Sequence, residues 1–108
     1  MKIVAVTACS VGIAHTYMAA EALEKAAKKR DLEIWVETQG AVGIENKVPD
    51  DVLAEADFAI FAVDLGIEKK ERFEEKIVYV TIPADAIRRA DAIIDEAIAY
   101  YKEQTNNA

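Results

Sequence analysis

Four short runs rich in β-branched and aromatic residues alternate with segments of helical period, and this alternation constrains the fold more than any other property of the chain. Lys2 to Ala8, Glu33 to Thr38, Phe58 to Val63 and Ile77 to Ile82 read as strands. Thr16 to Arg30 reads as a helix, with Ala19, Ala22, Leu23 and Ala26 on one side and Glu21, Glu24, Lys25, Lys28 and Lys29 on the other. Pro49 to Ala56 reads as a second, short helix, and a third sits around Glu71-Arg72-Phe73. From Pro83 onward a single helix carries an apolar stripe at Ile87, Ala90, Ile94, Ala97 or Ile98, and Tyr101. Strands separated by helices pair in parallel, because each connection must cross over a face of the sheet. With right-handed crossovers, the expected fold is α/β, doubly wound and three-layered. It is Rossmann-like, with a four-stranded parallel sheet in the order 2-1-3-4. Such sheets bind ligands at the carboxyl ends of their strands, near the topological switch point. Here the switch falls beside the first strand, and the loop leaving that strand begins with Cys9.

The chain has 108 residues, enough for one domain. The domain is expected over 1–103, with a frayed tail over 104–108. Thirteen basic and 20 acidic residues leave a net charge of −7, which disfavours nucleic acid and anionic membrane surfaces as partners. A single cysteine excludes an intramolecular disulfide. Ile3 to Ala20 lacks Asp, Glu, Lys and Arg, but Thr7, Ser10, Gly12, His15 and Thr16 make it too polar to span a bilayer. The apolar run before Cys9, Ile3 to Val6, is too short for a signal peptide. The reading is a cytoplasmic monomer with no membrane insertion that docks transiently to its partners.

Cys9 lies between a strand end and a helix start. The unsatisfied N–H groups of a helix N-terminus attract anions and favour thiolate over thiol. Successive amides from Ser10 through Val11, Gly12, Ile13, Ala14 and His15 to Thr16 can cradle phosphoryl oxygens, and the Ser10 and Thr16 hydroxyls can add donors. Gly12 permits close backbone approach. The bland alternative is a small, inert core cysteine. His15 is the only histidine, and with one cysteine it makes no metal site. No cofactor is implied. Cys9 and His15 are spaced Cys-x5-His; a tyrosine-phosphatase loop would carry arginine at the second position to fork onto phosphate. Without it, a phosphocysteine should form but hydrolyse slowly, which suits a relay. Asp64 ends the third strand, where doubly wound folds often place a functional acid, but it reads more simply as a helix or turn cap, since an acid beside phosphocysteine would repel it. The Glu37-Thr38-Gln39-Gly40 and Gly43-Ile44-Glu45-Asn46 stretches read as a wall of the site or partner contact, or equally as loop architecture.

Val6-Thr7-Ala8-Cys9, Gly12-Ile13-Ala14-His15-Thr16, Met18 to Leu23, Glu37 to Gly40 and Gly43 to Asn46 together resemble the fructose-type enzyme IIB of the bacterial phosphoenolpyruvate-dependent sugar phosphotransferase system (PTS). The likeness runs from the first strand to the last helix. It implies a protein-phosphohistidine–sugar phosphotransferase. Cys9 would accept a phosphoryl group from phosphohistidine on enzyme IIA and pass it to a sugar bound by the membrane enzyme IIC. The phosphate-binding loop would be Ser10 to Thr16. Two positions depart from the family pattern: Ser10 stands where proline is usual, and Val11 where a small hydroxyl residue is usual. A low-molecular-weight phosphatase and a non-catalytic regulatory homologue remain as alternatives.

Overall fold

The computed structural model describes residues 1–10 and 13–106. Five strands, β1 (Lys2–Ala8), β2 (Glu33–Gly40), β3 (Gly43–Glu45), β4 (Phe58–Val63) and β5 (Val78–Thr81), form one sheet in the order β3-β2-β1-β4-β5. β1 pairs in parallel with both β2 and β4, and β4 in parallel with β5. The four expected parallel strands therefore stand in the expected order. The fifth strand corrects the reading of Gln39 to Asn46 as a loop. Gly43, at φ +98°, turns the chain back so that Gly40, Gln39 and Thr38 pair antiparallel with Gly43, Ile44 and Glu45. Three residues with one apolar side chain carry no readable period. Asn46 ends the hairpin in the left-handed region; its amide donates to the Val36 carbonyl, and its own carbonyl accepts the Trp35 indole N–H, both at 2.8 Å.

The helices are α1 (Ile13–Lys29), α2 (Asp50–Glu55), α3 (Pro83–Arg88) and α4 (Ala90–Asn106), with a 3-10 turn over Lys70–Phe73. Side-chain alternation divides the core. Ile3, Ala5, Phe58, Ile60 and Ala62 pack on one face against Leu23 of α1 and Ile93 and Ile94 of α4. Val4, Val6, Ala59 and Phe61 pack on the other against Val48, Leu53 and Phe73. Leu23 is fully enclosed. Leu23→Ala should lower the unfolding free energy by about 2–5 kcal/mol in urea titration.

Three local features differ from expectation. α1 begins at Ile13, three residues before the expected start. It stops in a Schellman arrangement, with Asp31 at φ 55° and the Leu32 and Asp31 amides donating to Ala27 and Lys28. The helix expected after Pro83 is two helices, broken at Arg89 (φ −132°, ψ 37°). Arg89 both closes α3, donating to Asp85, and opens α4, accepting from Ile93. The break lets Ala86 of α3 and Ile93, Ile94 and Ala97 of α4 all reach the core. Finally, α4 continues to Asn106, so the expected frayed tail is helical over 104–106; Asn107 and Ala108 lie outside the described residues. Arg30, the last residue of the helix expected from the sequence, clamps α1 to α4. Its guanidinium forks onto Asp95 at 2.8 and 3.0 Å and donates to Asp91 at 2.9 Å, holding both carboxyls below their usual range.

Candidate functional site

β1 and β4 end side by side. Ala8 stands opposite Val63, and the Asp64 amide donates to the Ala8 carbonyl at 3.3 Å. The connection from β1 crosses one face through α1, while the one entering β4 crosses the other through α2. The chain directions diverge there, which opens the crevice of a doubly wound sheet. The residue after each strand carries an ionisable side chain: Cys9 after β1 and Asp64 after β4.

Cys9 is a half-buried free thiol. Its Sγ lies 3.6 Å from Asp64 Oδ2 and 3.9 Å from His15 Nδ1. Ser10 turns toward the same carboxylate: its backbone N–H donates to Asp64 Oδ1 at 2.7 Å and its hydroxyl to Oδ2 at 3.2 Å. The Ser10 amide, assisted by its hydroxyl and the Cys9 thiol, holds the Asp64 carboxyl below the usual carboxylate range against partial desolvation. The first turn of α1 itself contains no acidic residue; the carboxylate at this site comes from Asp64, after β4.

Residues Ile13, Ala14, His15 and Thr16 form that first turn, whose amides lack intrahelical acceptors by helix geometry. Val11 and Gly12, also read as part of the cradle, lie outside the described residues. Thr16 is buried at 2% exposure, and its hydroxyl has no hydrogen-bond partner among the described residues. Its carbonyl accepts the buried Thr7 hydroxyl at 3.0 Å, which ties the end of β1 to the start of α1.

A cavity of about 420 Å³ opens beside Cys9, lined also by Ser10, Gln39, Gly40, Leu65 and Glu68. Its far wall is fastened by side-chain amide bonds. Gln39 donates through Nε2 to the Glu68 carbonyl at 3.0 Å and accepts the Glu68 N–H at 2.8 Å. Behind it, Glu37 is fully enclosed and accepts two bonds from the Arg72 guanidinium, at 2.9 and 3.0 Å. Gln39 Nε2 and the Val48 amide complete its shell. Tyr17 of α1 donates to the Glu45 carboxylate and so braces the hairpin against the helix. The Glu37-to-Gly40 stretch is therefore strand, the end of β2, and through Gln39 and Gly40 it walls the cavity.

The family described as "PTS system, Lactose/Cellobiose specific IIB subunit" matches residues 4–96. The chain belongs to the PTS IIB family. This IIB chain is 50% identical over 99 residues to the "PTS system fructose-like EIIB component 2" of Escherichia coli K12, covering 92% of this chain and 93% of that one. It is equally similar, over 97 residues, to the "PTS system 2-O-alpha-mannosyl-D-glycerate-specific EIIABC component" of the same organism, covering 89% of this chain and 15% of that protein. The solution structure of an enzyme IIB subunit of the PTS from Escherichia coli K12 superposes with a TM-score of 0.87 at 42% identity, covering 96% of each chain.

As a PTS EIIB component, the chain is a phosphotransferase component of sugar transport that works with other PTS components. Among the described residues, no helix is long and apolar enough to cross a membrane. The IIB chain brings Cys9, Ser10 and His15 together as its sequence suggests. It also places Asp64 against them, at a position where the sequence favours a simple cap over a functional acid. Asp64 does cap an amide, but that amide belongs to the residue after the cysteine. The signal was the parallel register: once β1 and β4 are neighbours, the residues following Ala8 and Val63 must meet.

Proposed function

We propose that the chain is the phosphocysteine carrier of a sugar PTS. The observation that supports this most directly is the placement of its single cysteine. Cys9 Sγ sits at the switch point of the sheet, beside the acid-free first turn of α1, and lines an open cavity. The thiolate of Cys9 attacks phosphorus on a phosphohistidine of enzyme IIA. The N–P bond breaks as the S–P bond forms, and the thiol proton ends on the imidazole nitrogen released. In the second transfer a hydroxyl of a fructose-like sugar held by enzyme IIC attacks the same phosphorus. The S–P bond breaks, an O–P bond forms, and the hydroxyl proton returns to sulfur. Amides of Ser10 and of the α1 first turn, over Ile13, Ala14, His15 and Thr16, supply the oxyanion donors, with Val11 and Gly12 completing the loop in sequence.

A phosphatase is the poorer reading. Position 15 offers an imidazole where fork-like binding of phosphate needs a guanidinium. Arg72 is already engaged with Glu37. The domain, 1–103, acts as one cytoplasmic unit, and selectivity for the sugar resides in the membrane partner.

Incubation with phosphorylated fructose-type IIA should add the mass of one phosphoryl group. Prior alkylation with iodoacetamide should block the addition, since the chain has one thiol. Undiminished phosphorylation of the alkylated protein would place the acceptor elsewhere.

A further inference from the structure

We propose that the Asp64 carboxylate is a built-in competitor for the phosphoryl group. It occupies the Ser10 amide while Cys9 is free and is displaced when Cys9 is phosphorylated. This rests on the phosphocysteine reading above and adds to it a residue that sets how firmly the group is held.

Three contacts on one carboxylate carry the argument. Oδ1 accepts the Ser10 N–H at 2.7 Å, and Oδ2 lies 3.2 Å from the Ser10 hydroxyl and 3.6 Å from Cys9 Sγ. The amide that follows the nucleophile is thus already bound to an anion. A phosphoryl group on Sγ would project three further oxygens into the same few ångströms. One N–H donor shared between two anions bonds each of them more weakly, and like charges at this separation repel. The carboxylate has somewhere to go. Asp64 is exposed, and it is followed by exposed Leu65 and by Gly66, around whose Cα no atom would crowd a side chain. The backbone need not follow, because the Asp64 amide stays bonded to the Ala8 carbonyl. Displacement costs the site one short, charge-assisted hydrogen bond. That cost is subtracted from the stability of phosphocysteine. A carrier benefits, because a group held too well is not passed on. Asp64 is therefore a positioning residue that tunes the phosphoryl transfer equilibrium through Ser10 and Sγ.

The test compares Asp64→Asn, Asp64→Ala and the unmodified chain. Each is equilibrated with a fixed ratio of phosphorylated to free fructose-type IIA, and the phosphocysteine fraction is read by intact mass. Asparagine keeps an acceptor for the Ser10 amide but removes the charge; alanine removes both. Both variants are expected to shift the equilibrium about tenfold toward phosphocysteine, the size of a modest like-charge interaction. An unchanged or lowered phosphocysteine fraction in Asp64→Asn overturns the proposal, because charge would then play no competing role. A second readout needs no donor. With the carboxylate gone from beside Sγ, iodoacetamide should alkylate Cys9 several-fold faster at pH 7. If the unmodified chain takes no label at all, the phosphocysteine reading fails. The alkylation rate then still reports on Asp64 and Sγ, and an unchanged rate overturns this proposal as well.

Discussion

Cys9→Ser is expected to reduce phosphoryl acceptance from IIA by about a thousandfold or more, while leaving the fold intact. The reason is the nucleophile. At neutral pH a thiol ionises to a usable extent, whereas a serine hydroxyl attacks only when a neighbouring base removes its proton. The structure offers poor help to a serine here. Asp64, the nearer ionisable group, is held below the ordinary carboxylate range by the Ser10 amide and is correspondingly weak as a base. His15 Nδ1 is already 3.9 Å from sulfur, and a shorter C–O bond would leave the oxygen farther still. Stability should change little, since Cys9 is half-buried at the mouth of a cavity and the side chains are nearly isosteric. Transfer within tenfold of the unmodified chain, measured by intact mass over time, would make His15 the first alternative acceptor.

The split between what the sequence disclosed and what it withheld follows the range of the interactions. β1 and β4 are buried on both faces, so apart from Lys2 and Thr7 their residues are apolar, and they read as parallel strands without any knowledge of partners. α1 shows its period because only one side meets the sheet. From these elements the strand order follows, and with it the position of Cys9 at the switch point. β3 was hidden because a three-residue strand is specified by pairing with β2 and by one glycine turn, not by a pattern of its own. The break at Arg89 was hidden because both helices continue the same apolar stripe. Glu37 and Arg72 were the deepest concealment. In β2, Glu37 alternates with Val36 as an exposed residue would, yet it is fully enclosed. Its burial depends on an arginine 35 residues away, and no local pattern encodes that. Asp64 shows the same limit at the site. Its identity as a cap was legible, but which amide it caps was settled only by the register of β1 against β4.

Arg72→Met should destabilise the fold by about 3–5 kcal/mol at pH 7, the usual consequence of leaving a buried charge without its partner. That is a large share of the roughly 5–15 kcal/mol available to a small domain. Burial alone would push the Glu37 carboxyl up. The fork from Arg72, with Gln39 and the Val48 amide, overcomes this and holds it below its ordinary value. A depressed folded-state value means that the linked stability is present above the unfolded value, near 4.3. It is lost as pH falls through the folded one. Without Arg72, burial dominates and the sign reverses: the carboxyl is raised, and the variant gains relative stability as it becomes protonated. The gap between Arg72→Met and the unmodified chain should therefore narrow from pH 7 to about pH 4, as read by urea unfolding at each pH. A gap independent of pH would mean that Arg72 acts by packing alone, over the Phe73 ring it covers at 4.9 Å. Adding Glu37→Gln should restore much of the loss, because a neutral amide can still accept the Val48 N–H. The consequence reaches the site through Gln39, which bonds to Glu37 on one side and to Glu68 of the cavity wall on the other. An unpaired Glu37 loosens that wall, so transfer by Arg72→Met should fall with its stability and recover with it in the double variant.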